Sequence, residues 1–242
     1  MENDNPPQSS DNNQLPKQIN QSISLNEFNE AFTTDLENTD ITELDLSIKN
    51  IDNESVIILT KIQFNKLETL YLDHNDITQL TFLPNLKLNN LQILHLGYNQ
   101  ISDISALSKI KFKGLKELHL SFNKIKDISV FASVNLPELK ELYLRGNLIS
   151  DINVLSKIKL KKLEVLHFEN NKIEDINVLS NCNFLELRDL FLNNNKISNI
   201  NVFAKMKLNK LNQLWLNGNN INDKENEQVV KQLNSKIEKF VI

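Results

Sequence analysis

The side chains that could take part in chemistry in this 242-residue chain recur at a fixed interval. Aromatic or imidazole residues stand 24 positions apart at seven consecutive places: Tyr71, His95, His119, Tyr143, His167, Phe191 and Trp215. Rigid rings offer a large contact area at a small entropic cost, and tyrosine and tryptophan are frequent binding hot spots. We expect this row, called the aromatic stripe below, to bind a partner protein or peptide.

At the positions that flank the aromatic stripe, acids outnumber bases by six to one. Candidate contact residues lie two places before or after a stripe residue: Glu117, Glu141, Arg145, Glu169 and Asp189. We therefore expect a partner with basic and apolar groups, whose cations would meet both the carboxylates and the ring faces. Because carboxylates flank His119 and His167, we expect their pKa values to lie near or above the ordinary value of ~6.5.

Other interpretations of the aromatic stripe stay open. Rings favour strands and stack on their in-register neighbours, so the row could be purely structural. His95 and His119, with Glu117 or Glu141, could in principle hold a metal, but zinc needs a tetrahedral set of ligands and in-register positions give a flat row. Exposed side chains also lack the desolvation that tunes catalytic pKa values. We expect no metal, no cofactor and no catalytic residue.

A 24-residue repeat must position these side chains. Each copy follows the pattern L-x-x-L-x-L-x-x-N-x-I. Seven copies carry an asparagine at the N position: Asn75, Asn99, Asn123, Asn147, Asn171, Asn195 and Asn219. The two leucines of L-x-L point to one side of a strand, so that side is buried. The asparagine amide can satisfy backbone groups at the turn that follows, in its own coil and the adjacent one. We expect the seven asparagines to form a structural ladder.

The repeat resembles the leucine-rich-repeat family. The continuation from Ile101 to Leu107 looks most like the repeats of the regulatory subunit of type-1 protein phosphatase and of bacterial internalins. The resemblance implies an α/β solenoid with a parallel sheet and a non-catalytic protein-binding function. The alternative it implies is a regulatory subunit of an enzyme such as a protein phosphatase. Since helical segments are bulkier than strands, we expect the solenoid to curve with its sheet on the concave face.

Composition shifts divide the chain into four parts. Residues 1–20 are polar and acidic and are expected to be disordered; residues 21–40 form an N-terminal helical cap, with a capping box at Ser24. Eight repeats fill residues 41–222, and in the first copy Lys49 takes the place of the asparagine. Residues 223–242 form a C-terminal helical cap, with a helix predicted over about 224–239.

The remaining composition excludes several classes of protein. One cysteine, Cys182, cannot form an internal disulfide, and no stretch approaches 18 apolar residues. We expect a cytoplasmic monomer that binds neither membrane nor nucleic acid, since the net charge of −4 is not that of a nucleic-acid-binding domain. Lysines that recur outside the stripe are expected to be a solvated face, with a basic ridge for acidic partners as the alternative: Lys109, Lys111, Lys113, Lys157, Lys159, Lys161, Lys205 and Lys207.

Overall fold

Nine short parallel strands stack in chain order into one sheet. The structure, a computed structural model, describes residues 22–206 and 209–242, so the predictions for residues 1–20 and for Lys207 lie outside the described residues. The strands are β1 (Glu43–Asp45), β2 (Thr69–Tyr71), β3 (Ile93–His95), β4 (Glu117–His119), β5 (Glu141–Tyr143), β6 (Val165–His167), β7 (Asp189–Phe191), β8 (Gln213–Trp215) and β9 (Lys239–Val241). Each strand pairs with the next, so every repeat lies beside its sequence neighbour.

The L-x-L pattern dictates which face of the sheet is buried. In β4 the central Leu118 is fully buried, while Glu117 and His119 are half-buried on the other face. We call that second face the strand face. The pairing is in phase with the 24-residue period, so His95 lies opposite His119. Leucine and isoleucine positions of all repeats join one hydrophobic core that runs from Phe28 to Ile237.

Short 3₁₀ helices lie on the other side of the core, where short helices were predicted. They are η1 (Ser55–Lys61), η2 (Leu83–Asn85), η3 (Ser105–Lys109), η4 (Ser129–Ala132), η5 (Asn153–Lys157), η6 (Asn177–Asn181) and η7 (Asn201–Ala204). An aspartate before the helix accepts a hydrogen bond from its backbone, as Asp103 Oδ1 does from the Ser105 amide at 2.8 Å. This bond holds the pKa of Asp103 below its ordinary value.

At the N-terminus, α1 (Leu25–Phe32) packs Phe28 and Phe32 into the core. Ser24 and Glu27 form a reciprocal capping box at its start. The first repeat is joined to this helix through Lys49, whose Nζ donates to the Thr33 carbonyl at 2.9 Å. Thus the residue that replaces the ladder asparagine in the first copy ties the end of α1 to the solenoid.

At the C-terminus, the predicted helix over about 224–239 is wrong in its extent. The observed helix, α2, spans Asp223–Lys236 and buries Val229 and Leu233, and the chain then forms β9. The open edge of β8 explains the change, because its unpaired backbone groups need partners. The Leu216 amide, just past β8, donates to the Val241 carbonyl at 2.6 Å, which a longer helix would prevent. Across the described ranges, no helix combines the length and the apolar character needed to cross a lipid bilayer.

Candidate binding surface

The asparagines predicted as a ladder occupy equivalent positions at the ends of the strands. Six of them, Asn75 to Asn195, are buried, and Asn219 is half-buried. Asn147 shows the pattern: its Oδ1 accepts from the Ile125 amide at 3.0 Å, and its Nδ2 donates to the carbonyls of Leu120 and Leu144, both at 3.0 Å. The amide therefore bonds to its own coil and to the preceding one, which fixes the spacing between repeats.

The rings of the aromatic stripe form a continuous stack along the strand face. Consecutive ring centroids lie 4.5, 3.9, 4.1, 4.6, 4.1 and 6.0 Å apart from Tyr71 to Trp215. The four middle pairs, from His95 to Phe191, are nearly parallel, with interplanar angles of 6° to 16°. At its end, Trp215 is tilted and carries Lys239 Nζ 4.5 Å from its ring centroid.

The stacking corrects two expectations about how the stripe meets solvent. The faces of the interior rings cover one another, so their edges and polar atoms, not their faces, are available to a partner. The histidines are also less exposed than expected, since the side chain of His119 is only 20% exposed. A basic partner group would therefore contact the carboxylates beside the stripe instead of lying over an interior ring.

Carboxylates line the stripe on both sides. His95 Nδ1 lies 3.3 Å from Asp73 Oδ2, and His167 Nδ1 lies 2.8 Å from Glu169 Oε1. Glu169 is buried, with an exposed fraction of 6%, and its Oε2 has no hydrogen-bond partner among the described residues. Arg145 approaches Glu169 Oε1 only to 3.9 Å. Arg145 and, at the end of the stripe, Lys239 therefore leave most of the acidic groups beside the stripe without a lysine or arginine partner among the described residues.

The pKa of His119 contradicts the expectation drawn from the sequence. It is lowered to about 4, mainly by burial in the stack and also by the neighbouring His95 and His167, against the opposing effect of Asp73. His119 is consequently neutral at pH 7. Burial also raises the pKa of Glu117, and the charge of Glu141 adds to that shift.

The predicted partner-binding residues are thus brought together on one surface, with Asp189 next to Val165 and Gln213 in the sheet. Burial raises the pKa of Tyr143, and the hydrogen bond that Tyr143 donates to Glu141 adds to this shift. Within the described ranges, no group of three or more His, Cys, Asp and Glu side chains is arranged to hold a metal ion.

A second row of rings was missed by the sequence reasoning, which treated His74 as a simple turn residue. His74, Tyr98 and Phe122 stack with centroids 4.1 and 4.3 Å apart, and Arg145 lies 5.1 Å from the Phe122 centroid. We call these three rings the second stack. All three residues directly precede a ladder asparagine, a 24-residue period that the sequence does display.

The opposite side of the molecule carries a polar groove of about 1170 Å³ between η4 and η7. Lys126, Lys157 and Lys205 line it together with serine, asparagine and aspartate side chains. Its aspartates already accept hydrogen bonds from the chain itself, as Asp127 Oδ1 does from the Ser129 amide at 2.7 Å. Part of the recurrent lysine pattern thus borders a groove.

Comparisons with known proteins agree with this geometry. A family model for leucine-rich repeats in two copies matches residues 65–109, 89–133, 113–157 and 137–181. No curated protein matches the chain by sequence. Together with the nine-stranded parallel sheet and its buried asparagines, the repeated match shows that the chain belongs to the leucine-rich-repeat family.

Solved structures of similar fold include two internalins from Listeria monocytogenes. InlF is 29% identical, with a TM-score of 0.65 over 84% of this chain and 62% of that one. Internalin C2 is 26% identical, with a TM-score of 0.66 over 90% of this chain and 89% of that one. TLR13, solved in complex with ssRNA13, is 28% identical with a TM-score of 0.52, over 68% of this chain and 23% of TLR13. This chain therefore spans about three fifths of InlF and a quarter of TLR13.

Proposed function

We propose that this chain is a non-catalytic protein-binding module whose strand face, through the aromatic stripe and its flanking carboxylates, binds a basic and apolar partner protein or peptide. Leucine-rich-repeat proteins generally mediate protein–protein interactions, which is the coarse function that family membership supports. The finer proposal depends on the chemistry of the strand face.

The observation that carries the proposal is the pair formed by Glu117 and Glu141. They lie opposite each other in β4 and β5, and neither forms an ion pair with a lysine or arginine anywhere in the described ranges. By contrast, two acids that precede strands on the exterior, Glu138 and Glu186, are each paired with a lysine at 2.6 Å. Like charges directly opposite each other destabilise a sheet, so a partner cation placed between them would relieve this repulsion.

The stack contributes by fixing the rings before the partner arrives. Each interior ring of the stripe is held between two neighbours, so little side-chain entropy is lost when a partner contacts its edge. From Tyr71 to Trp215 the six steps of the sheet cover roughly 29 Å, at ~4.8 Å per strand. This length and preorganisation favour an extended contact with a polypeptide over a site for a small molecule.

Affinity capture from the native cell, followed by titration with the purified partner, tests the proposal. We expect the isosteric pair of changes Glu117→Gln and Glu141→Gln to weaken binding about tenfold or more, because an acid that pairs with a cation is lost. Phe191→Ala should cost ~2 kcal/mol of binding free energy if Phe191 is a central anchor. The matched control, Glu138→Gln with Glu186→Gln, removes two exterior acids and should leave binding unchanged.

The opposite pattern would refute the assignment of the surface. If Lys159→Ala abolishes binding while the changes at Glu117, Glu141 and Phe191 leave it intact, the working surface lies on the side of the 3₁₀ helices. A captured enzyme whose activity responds to the chain would make the chain a regulatory subunit, the alternative implied by the phosphatase resemblance. A captured nucleic acid would contradict the proposal.

A further inference from the structure

The second stack belongs to a row of large side chains, three of them apolar, whose backbone is held in the left-handed conformation that bulky apolar residues rarely adopt. Ile48, His74, Tyr98 and Phe122 have φ values of 57°, 55°, 50° and 56°. The same position in the later repeats is taken by glycine or asparagine: Gly146, Asn170, Asn194 and Gly218. The left-handed region suits glycine and asparagine but strains bulky side chains. The first four repeats thus keep large side chains where the later four show that small or polar ones suffice.

Three of these side chains, Ile48, His74 and Tyr98, are exposed, and Phe122 is half-buried. Ile48 is 74% and Tyr98 is 48% exposed, and they are two of the five large hydrophobic residues that lie exposed in the described part of the chain. Gly146 makes room for the end of the row, since a Cβ there would come within 2.6 Å of Phe122 Cδ1. Backbone strain combined with an exposed apolar row is typical of a contact surface.

A narrow lane separates this row from the aromatic stripe. It consists of Asp73, Gly97 and Ser121, each two positions after a stripe residue and one before a residue of the second stack. Backbone pairing continues through it, with the Tyr98 amide donating to the Ser121 carbonyl at 2.9 Å. Asp73 Oδ1 accepts from the Gly97 amide at 2.7 Å, and the absence of a side chain at Gly97 keeps the lane low. The lane therefore runs along the solenoid axis between two rows of rings.

We propose that an extended segment of the partner polypeptide, with alternating basic and apolar side chains, lies along this lane. Successive side chains of an extended chain point to opposite sides, ~3.3 Å apart along the chain. Basic side chains would meet Asp73 in the lane itself and reach across the stripe towards Glu117 and Glu141. Apolar side chains would pack on Ile48, Tyr98 and their neighbours in the row. Three sheet steps from Ile48 to the last ring cover about 14 Å, the length of four or five extended residues. This inference rests on the proposed function, whose surface it extends.

Two hexapeptides of equal composition test the alternation: Lys-Leu-Lys-Leu-Lys-Leu and Lys-Lys-Lys-Leu-Leu-Leu, both capped at their termini. Each is titrated into the ¹⁵N-labelled full chain and followed by NMR. We expect the alternating peptide to bind at least tenfold more tightly than the block isomer, and to shift the amide signals of Gly97, Tyr98 and Ser121. Equal affinities would overturn the lane as an alternating site.

A triple variant, His74→Asn, Tyr98→Asn and Phe122→Asn, replaces the second stack with the residue that the chain itself uses at Asn170 and Asn194. Since asparagine tolerates the left-handed region, the variant should keep its thermal stability and bind the alternating peptide at least tenfold more weakly. If the triple variant unfolds instead, the single variant Ile48→Asn tests the inference, because the Ile48 side chain is not part of the ring stack. Unchanged peptide binding by Ile48→Asn would then overturn the inference.

The matched control is Leu185→Asn, which removes a 60% exposed leucine away from both rows and should not change peptide binding. The variant Glu117→Gln with Glu141→Gln separates the two proposals. If it weakens peptide binding while the changes at Ile48 and the second stack do not, the lane fails and the proposed function stands. If it has no effect on peptide binding or on the captured partner, the proposed function fails as well.

Discussion

Replacing a single ladder asparagine should show how the repeats are held together. Asn147→Ala removes the acceptor for the buried Ile125 amide and two donors to the carbonyls of Leu120 and Leu144. The two carbonyls keep a partner, because Leu120 also accepts from Asn123 at 3.1 Å and Leu144 from Asn171 at 2.9 Å. The Ile125 amide loses its side-chain partner. The main cost is therefore one stranded buried donor.

A buried unsatisfied donor costs about 1–3 kcal/mol, and each weakened carbonyl bond adds to this. We expect Asn147→Ala to lower the free energy of unfolding by about 2–3 kcal/mol. Asn219→Ala should cost about 1 kcal/mol, since Asn219 is half-buried and water can replace its bonds. The control Asn193→Ala should cost less than about 0.5 kcal/mol, because no hydrogen bond of its side chain is present in the described structure.

Neighbouring ladder asparagines donate to the same backbone carbonyl, which allows a more specific test with double variants. The double variant Asn123→Ala with Asn147→Ala strands the Leu120 carbonyl completely, so its cost should exceed the sum of the single costs by about 1 kcal/mol. Asn99 and Asn147 share no carbonyl, and their double variant should be additive within about 0.5 kcal/mol.

Urea unfolding followed by circular dichroism measures these differences, with the slope of the transition compared between variants. Equal midpoints for the variants at Asn147 and Asn193 would refute the structural ladder. Equal coupling in both double variants would show that the carbonyls are not shared as the structure places them.

Three further perturbations test the stack and the ends of the solenoid. His119 has a pKa of about 4 in the folded state and ~6.5 in the unfolded state, so the unfolded state binds more protons between pH 4 and pH 6.5. The free energy of unfolding should therefore fall by up to about 3 kcal/mol as the pH drops from 7 to 4. His119→Phe should lose this contribution in urea unfolding across the pH range, and an unchanged pH dependence would contradict the buried neutral imidazole. Gly146→Ala should cost about 1–3 kcal/mol by thermal unfolding, from its φ of +66° and the contact with Phe122. Gly114→Ala should be nearly neutral, because a Cβ there would make only an ordinary contact, 3.7 Å from the Leu91 carbonyl oxygen. Deleting residues 224–242 should expose the core of the last repeat and cause aggregation visible by light scattering; a soluble product of unchanged stability would show that this segment is not a cap.

The repeat pattern alone predicted most of the architecture. L-x-L spacing decided which leucines face the core, and the unbroken 24-residue period set the strand register, because in-phase copies can stack in chain order. The same period placed the stripe residues on one face. Local sequence also predicted the start of α1, since Ser24 and Glu27 need only their own backbone to form the capping box.

Other features depended on contacts between segments far apart in sequence. The end of α2 was decided by the unpaired edge of β8, which drew Lys239–Val241 into a strand although the apolar spacing favoured a longer helix. The pKa of His119 was decided by burial between neighbouring rings, which outweighs the nearby carboxylates that the sequence displays. The second stack was decided by the left-handed turn before each ladder asparagine, which turns these side chains outward to meet those of the next repeat. Each of these outcomes depends on interactions between residues of different repeats, and those residues come together only when the repeats stack.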